Sequence, residues 1–281
     1  MTTARTAPPS EKLSLNTATV KTQWRLDQII EGCSRHDIRG ISPWRDQVAE
    51  IGLGRAAQLI RSHQLTVTGY CRGGMFPAAD QAGRQAALDD NYRAVDEALE
   101  IGASCLVLVV GGMPKASKDI AGARQQVRDG IAELLQYSRK MGMPLAIEPL
   151  HPMYAADRAC VNTMAHANDL CDELGDDGLG IALDVYHVWW DPDLRQQIRR
   201  AGKKRLLAFH ICDWLVPTAD LLLDRGMMGD GVIDIAGLRC AVEAEGYCGF
   251  HEVEIFSANN WWKRPPDEVL KTCKQRHVDC C

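Results

Sequence analysis

No part of this chain is apolar for long enough to matter to a membrane. Its longest apolar run, Cys105 to Val110, falls far short of the ~20 residues a spanning helix needs. Positive charge is also scarce. Thirty-two Lys and Arg are outnumbered by 37 Asp and Glu, for a formal charge of −5. A nucleic-acid binder usually carries a basic face, so no nucleic-acid partner is expected. No CxxC pair occurs among the 11 cysteines, whose count is odd and whose spacing is scattered. Cys105, Cys171 and Cys240 fall inside apolar patterns, where a free thiol behaves as a small hydrophobe. A reduced, cytoplasmic protein is expected, with the Cys280-Cys281 pair at the surface. Met1 to Lys12 is polar and lacks an apolar h-region, so no secretory signal is expected. Low-complexity linkers are missing too. Residues 1–11 read as a flexible tail and 12–281 as one catalytic domain. The first strand is not followed by a Gly-rich turn: Asn16-Thr17-Ala18-Thr19 stands there, which disfavours a dinucleotide-binding sheet.

What the chain does have is a regular beat of short apolar runs and one-sided helices. The strand-like runs are Leu13 to Thr19, Gly40 to Pro43, Leu65 to Tyr70, Cys105 to Val110, Pro144 to Glu148, Ile181 to Asp184, Leu206 to His210 and Phe250 to Glu254. Helical periodicity fills the gaps over Trp24 to His36, Gln47 to His63, Asp80 to Gly102, Ile120 to Met141, Asn162 to Leu174, Asp193 to Ala201, Ile235 to Glu245 and Asp267 to Gln275. Leu26, Ile29, Ile30 and Cys33 illustrate the one-sided pattern. Eight strand–helix units of this kind predict an α/β fold, a single (β/α)8 TIM barrel. In a barrel the loops after the strands carry the chemistry. Three are long here: Cys71 to Ala79, His151 to Val161 and Asp213 to Ile233.

Four of the apolar runs end in a residue able to bind a divalent cation. Leu145-Ala146-Ile147 leads into Glu148, Ile181-Ala182-Leu183 into Asp184, Leu207-Ala208-Phe209 into His210, and His251-Glu252-Val253 into Glu254. A charged group at the end of a buried strand is costly unless something pairs it. Four such ends predict one ion held by Glu148, Asp184, His210 and Glu254. Oxygen-rich ligands with one imidazole suit Mn2+ best, with Mg2+ or Co2+ as alternatives, rather than a structural zinc site. Glu252 and Glu254 share a side of their strand. Glu254 is preferred because it lies nearer the C-terminal end, and Glu252 is left one layer down. His151 and His187 each follow a ligand by three residues. His187 is expected to hold substrate, and His151 is a candidate general base. Trp189-Trp190 and Trp261-Trp262, with Trp44 and Phe76, could form an apolar wall for a sugar ring or aglycone. Further substrate contacts are expected from Arg158, Trp189, Asp213 and Arg225.

From Leu13 to about Leu270 the chain resembles the xylose-isomerase-like barrel superfamily of sugar isomerases and epimerases. The resemblance rests on Ile147-Glu148-Pro149-Leu150, Leu183-Asp184-Val185-Tyr186-His187, Phe209-His210-Ile211-Cys212-Asp213 and Val253-Glu254-Ile255-Phe256. It implies that Glu148, Asp184, His210 and Glu254 hold one divalent ion. It also implies that the catalytic pair Glu148 and Glu254 shuttles a proton through an enediolate, and that His187 touches a carbohydrate. Endonuclease IV, a member with three zinc ions, needs extra His ligands that Ser42 and Thr68 do not supply. Xylose isomerase relies on a lysine absent beside Glu148 and Asp184. Glu148-Pro149-Leu150-His151-Pro152 is similar to the α subunit of C-glycoside deglycosidases. That likeness implies an alternative, elimination from a 3-oxo-glycoside with His151 as base and a small β subunit as partner. Otherwise a homo-oligomer is implied.

Overall fold

A computed structural model describes residues 7–281. Strands β1 (Leu13–Asn16), β2 (Gly40–Ser42), β3 (Thr66–Val67), β4 (Tyr70–Gly74), β5 (Leu106–Val109), β6 (Leu145–Ile147), β7 (Leu179–Asp184) and β8 (Leu206–Ile211) are followed by a short ribbon, β9 (Asp213–Trp214) with β10 (Arg225–Gly226), and by β11 (His251–Val253). Nine of these segments form one parallel sheet in the order β3-β2-β1-β11-β8-β7-β6-β5-β4. Only Thr68 and Gly69 separate β3 from β4, the two ends of that order. They act as one staggered strand whose first half pairs with β2 and second half with β5, and this closes the barrel. The fold is the expected TIM barrel. No described helix is long and apolar enough to cross a membrane.

The helices outside follow from local sequence. In α1 (Leu26–Arg35) the buried residues Leu26, Ile29, Ile30 and Cys33 recur at helical spacing and face the sheet. The long helices α2 (Gln81–Ile101) and α3 (Ile120–Met141) begin where Asp80 and Asp119 accept backbone N–H bonds from Gly83 and Gly122. Both end on left-handed glycines, Gly102 and Gly142. The expected Gln47–His63 helix is broken at Gly52, whose φ of 89° lies outside the helical region. The first strand is shorter than expected. The Asn16 side chain accepts from the Ala18 N–H and turns Thr17–Val20 into a 3-10 helix. Of the expected N-terminal tail, residues 1–6 lie outside the described residues. Ser10–Lys12 form a 3-10 turn, and Pro8 is buried.

The core has two parts. The larger lies between the sheet and the helices. The smaller lies inside the barrel and is built from Cys71, Cys105, Val107, Ala146, Ala182 and Ala208. These small side chains leave room for an interior polar layer of Ser14, Asn16, Ser42, Thr68 and Glu252, all buried. All 11 cysteines are free. Cys281 is 5% exposed, which corrects the surface placement expected for the C-terminal pair, since its thiol tucks against the Arg276 carbonyl. Cys71–Gly74 is also not loop, as expected, but strand. Gly74, at φ 104°, is clamped by Asn91, which donates to the Gly74 carbonyl at 2.7 Å and accepts its N–H at 2.6 Å.

A Cβ at Gly74 would meet the Val109 carbonyl oxygen at 2.0 Å, whereas one at Gly102 meets nothing within 4 Å. Both positions have positive φ. Gly102→Ala should therefore cost about 1 kcal/mol of backbone strain, and Gly74→Ala about 3 kcal/mol because overpacking adds to it. Urea unfolding midpoints of the two variants check this. Equal losses would mean that the β4–β5 contact yields freely.

Candidate metal centre

Sheet register brings the ligand groups to one level. Asp184, the last residue of β7, pairs with His210 in β8. His210 in turn pairs with Glu252 in β11. Glu148 and Glu254 stand one residue past β6 and β11, and their N–H groups still bond Leu108 and Ile211 of the neighbouring strands. One ligand atom from each of Glu148, Asp184, His210 and Glu254 lies within 4.8 Å of the others, and all four residues are buried. The His210 Nδ1 is 3.0 Å from Glu148 Oε1 and 3.7 Å from Glu254 Oε2. Its Nε2 faces the opposite way, 3.4 Å from Glu252 Oε1, without the alignment of a hydrogen bond. Glu252 accepts from Asn16 Nδ2 at 2.8 Å and Thr68 Oγ1 at 2.9 Å. It lies a layer below the cluster and backs the far side of the imidazole, as carboxylates behind metal-binding histidines do.

Arg225, on β10, is 3% exposed and enters the cluster from the side. Its Nη1 donates to Asp184 Oδ2 at 2.8 Å and to Glu254 Oε2 at 3.2 Å. Its Nη2 lies 3.1 Å from His187 Nε2. A guanidinium can only donate, so that nitrogen of His187 is the acceptor and the proton sits on Nδ1. Among the described residues Nδ1 has no partner. Burial, aided by Arg225, holds the His187 imidazole neutral by pushing its pKa down to about 3. Burial raises Asp184, but Arg225, His187, His210 and the Tyr186 N–H together outweigh it and keep the carboxyl below its usual range. Burial pushes Glu254 up to about 8; Arg225 opposes this and Glu148 adds to it. Burial would lower His210, yet the charges of Glu252, Glu148 and Glu254 lift it well above an ordinary imidazole. The centre thus holds more negative charge than Arg225 neutralises and draws protons in compensation. Three carboxylates and one imidazole around a common point fit a divalent cation that favours oxygen ligands.

A pocket of about 230 Å3 opens beside the cluster. Glu148, Glu254, His187, Arg225 and Arg158 line it, as do Trp44 and Phe256, whose rings meet edge to face at 5.6 Å. Several expected site residues stand elsewhere. His151 is not in the lining; its ring stacks on Trp214 at 5.2 Å and its Nδ1 accepts the Met153 N–H. Trp189 packs on Trp214 at 5.8 Å. Asp213 accepts N–H bonds from Trp214, Gly229, Gly231 and Ile233, so it staples the loop that carries Arg225 and does not face the pocket. Phe76 is buried against Gly130 of α3. Trp261 and Trp262 spend their indole N–H groups on Asp230 and the Ala18 carbonyl. Asn16, Thr68, Arg72 and Tyr154 were not foreseen as site residues. Asn16 and Thr68 sit at strand ends, where a polar residue inside a barrel could have raised suspicion. Arg72 falls in the segment that the sequence marks as loop, and nothing in the sequence singles out Tyr154.

This centre at the C-terminal mouth of a closed barrel matches a known class. The xylose isomerase-like TIM barrel family matches residues 30–274, and the chain belongs to that family. The inosose isomerase of Bacillus velezensis is 23% identical over 278 residues, covering 94% of this chain and 95% of that one. The crystal structure of a Sinorhizobium meliloti 1021 protein is 60% identical with a TM-score of 0.95, covering 97% and 99% of the two chains. A crystal structure of the IOLI protein with a bound zinc atom shares the fold at a TM-score of 0.80 and 21% identity, covering 96% and 97%.

Ligands must be deprotonated to take a cation, so protons compete with it. His210 is lifted well above the usual range and Glu254 to about 8. Both hold protons at acid pH and lose them as pH rises. Affinity for Mn2+ should therefore strengthen from about pH 6 to pH 8, with proton release seen by titration calorimetry in buffers of different ionisation enthalpy. In the same assay, Glu252→Gln should weaken binding about 10- to 100-fold while leaving the four ligand residues in place. A flat pH profile would contradict the first expectation, and unaltered affinity the second.

Proposed function

We propose that this protein is a divalent-metal-dependent isomerase or epimerase of a carbohydrate or polyol ketone, working by transfer of the α-proton. The observation that carries the reading is the convergence of Glu148, Asp184, His210 and Glu254, buried and within 4.8 Å of one another, at the wall of a pocket. The activity of the inosose isomerase relative supports the same class. A divalent cation bound there supplies Lewis acidity that acidifies the α-proton and steadies the charge left behind. Mn2+ suits the oxygen-rich donors, with Mg2+ and Co2+ as alternatives, and the zinc of the IOLI protein adds a fourth.

The chain's own groups supply the rest. Glu148 follows β6 and Glu254 follows β11, with β7 and β8 between them in the sheet, and both line the pocket. Two carboxylates reaching one substrate from different sides let one take a proton while the other returns it, which is what inversion at a carbon requires. Arg225 holds Glu254 and Asp184 at fixed distances. It also accounts for the second nitrogen of His187 and leaves the Nδ1–H free to donate to a substrate oxygen. Trp44 and Phe256 cover an apolar face that excludes water from the reacting carbons. The elimination alternative depended on His151 as base, and the stacking of that ring on Trp214 gives it no support.

In D2O with Mn2+, a substrate ketose should acquire deuterium on the carbon next to its carbonyl, read by NMR. Glu148→Gln and Glu254→Gln should each slow this exchange about a hundredfold or more. Full exchange by Glu254→Gln with metal still bound one to one would sink the assignment.

A further inference from the structure

The pocket has a second polar end that the proton transfer does not use. Arg72 of β4 and Arg158 in the segment after β6 line it, and Tyr154, whose ring meets His187 edge to face at 5.9 Å, stands between that end and the cluster. Arg72 is only partly exposed and forms no hydrogen bond or ion pair with any described residue. The half-buried Arg45 and the buried Arg225 are, by contrast, paired. Arg45 is held by Asp90 and Glu97, and Arg225 by Asp184 and Glu254. Arg158 lies with its guanidinium 5.5 Å over the Tyr154 ring and likewise has no ion pair among the described residues. Asp157 shares the rim but is exposed, and the Asp220 carboxylate accepts the Leu222 and Leu223 N–H groups. The Tyr154 hydroxyl is buried and has no partner among the described residues. Burial keeps it protonated and therefore a donor. Burial and the neighbouring charge of Arg158 also hold the Arg72 guanidinium below its usual range, the mark of a cation lacking its counter-charge. The rest of that wall, Val107, Val109, Leu150 and Leu222, offers no polar side chain.

We propose that Arg72, Arg158 and Tyr154 bind an anionic substituent, a phosphate or a carboxylate, at the end of the substrate remote from its ketone. Two guanidinium groups and a hydroxyl supply the charge-assisted donors such a group accepts. In the sheet order the ligand groups occupy β6 through β11, while Arg72 stands on β4. The substrate would lie across the mouth from one to the other. This placement of the ketone rests on the isomerase or epimerase reading; the anion subsite itself does not.

Isothermal titration of the Mn2+-loaded protein with D-fructose, D-fructose 6-phosphate and D-fructuronate, alongside deuterium exchange on the same three compounds, tests the proposal. One anionic compound should bind at least roughly tenfold more tightly than fructose, the size expected for hydrogen bonds to a charged group. The compound that gains identifies phosphate or carboxylate as the group recognised. Arg72→Gln and Arg158→Gln should each shrink the ratio of anionic to neutral affinity toward one. Arg158 is exposed, so its variant reports even if the Arg72 variant fails to fold. Inorganic phosphate should compete with the preferred ligand in the wild type. Equal affinity for all three compounds, or a preference that survives both substitutions, overturns the subsite. Anion preference without exchange on any compound would uphold the subsite and overturn the isomerase reading; exchange on fructose with no preference would do the reverse.

Discussion

Three carboxylates crowded around an imidazole at the mouth of a barrel repel one another and have been taken out of water, and the surrounding structure is organised around that cost. Asp184, Glu148 and Glu254 would each be expensive to bury alone. Arg225 offsets part of the charge through bonds to Asp184 and Glu254, and protons on His210 and Glu254 offset more. A site that draws protons in this way is already prepared for a cation of higher charge. Affinity for metal and discomfort without it are the same electrostatic fact.

The barrel interior is arranged to sustain this. Ordinary barrels fill their inside with bulky branched side chains. Here Ala146, Ala182, Ala208, Cys71 and Cys105 keep the middle layer small. The space goes to Glu252, bonded to Asn16 and Thr68, with Ser14 bonded to Thr68 at 2.8 Å in turn. Each donor in that chain has an acceptor, so the buried carboxylate behind His210 is held in one orientation. A network satisfied throughout stiffens a core, whereas a half-satisfied one would be worse than an apolar filling.

The sequence made the barrel legible because parallel strands buried on both faces read as short apolar runs, and their alternation with one-sided helices leaves few topologies. The ligand cluster was legible for a related reason: a strand that ends in a charge breaks its own pattern. Arg72 and Tyr154 break no pattern. Arg72 matters because β4 continues past Cys71 into what composition marks as loop, and Tyr154 because a 3-10 turn at Pro152–Tyr154 swings it inward. His151 shows the converse. Its spacing from Glu148 matches that of His187 from Asp184, yet the chain turns differently after the two strands. After β7 the Asp184 side chain accepts the Tyr186 N–H and starts a helical turn that buries His187, whereas Pro152 starts a turn that leaves His151 against Trp214. Equal spacing predicts equal direction only within regular structure.

Asp213 carries the last step. It was expected at the substrate, and it acts instead through the loop it binds. Its two oxygens gather the N–H groups of Gly229, Gly231 and Ile233, and Gly226 pairs with Asp213 itself in the β9–β10 ribbon. That ribbon sets where Arg225 enters the cluster. Arg225 in turn sets the charge felt by Asp184 and Glu254 and the tautomer of His187. A carboxylate that does not line the pocket thus governs the protonation of groups that do. An anion that binds backbone amides is suited to this task, because it fixes the loop without adding a side chain that could compete for the cation.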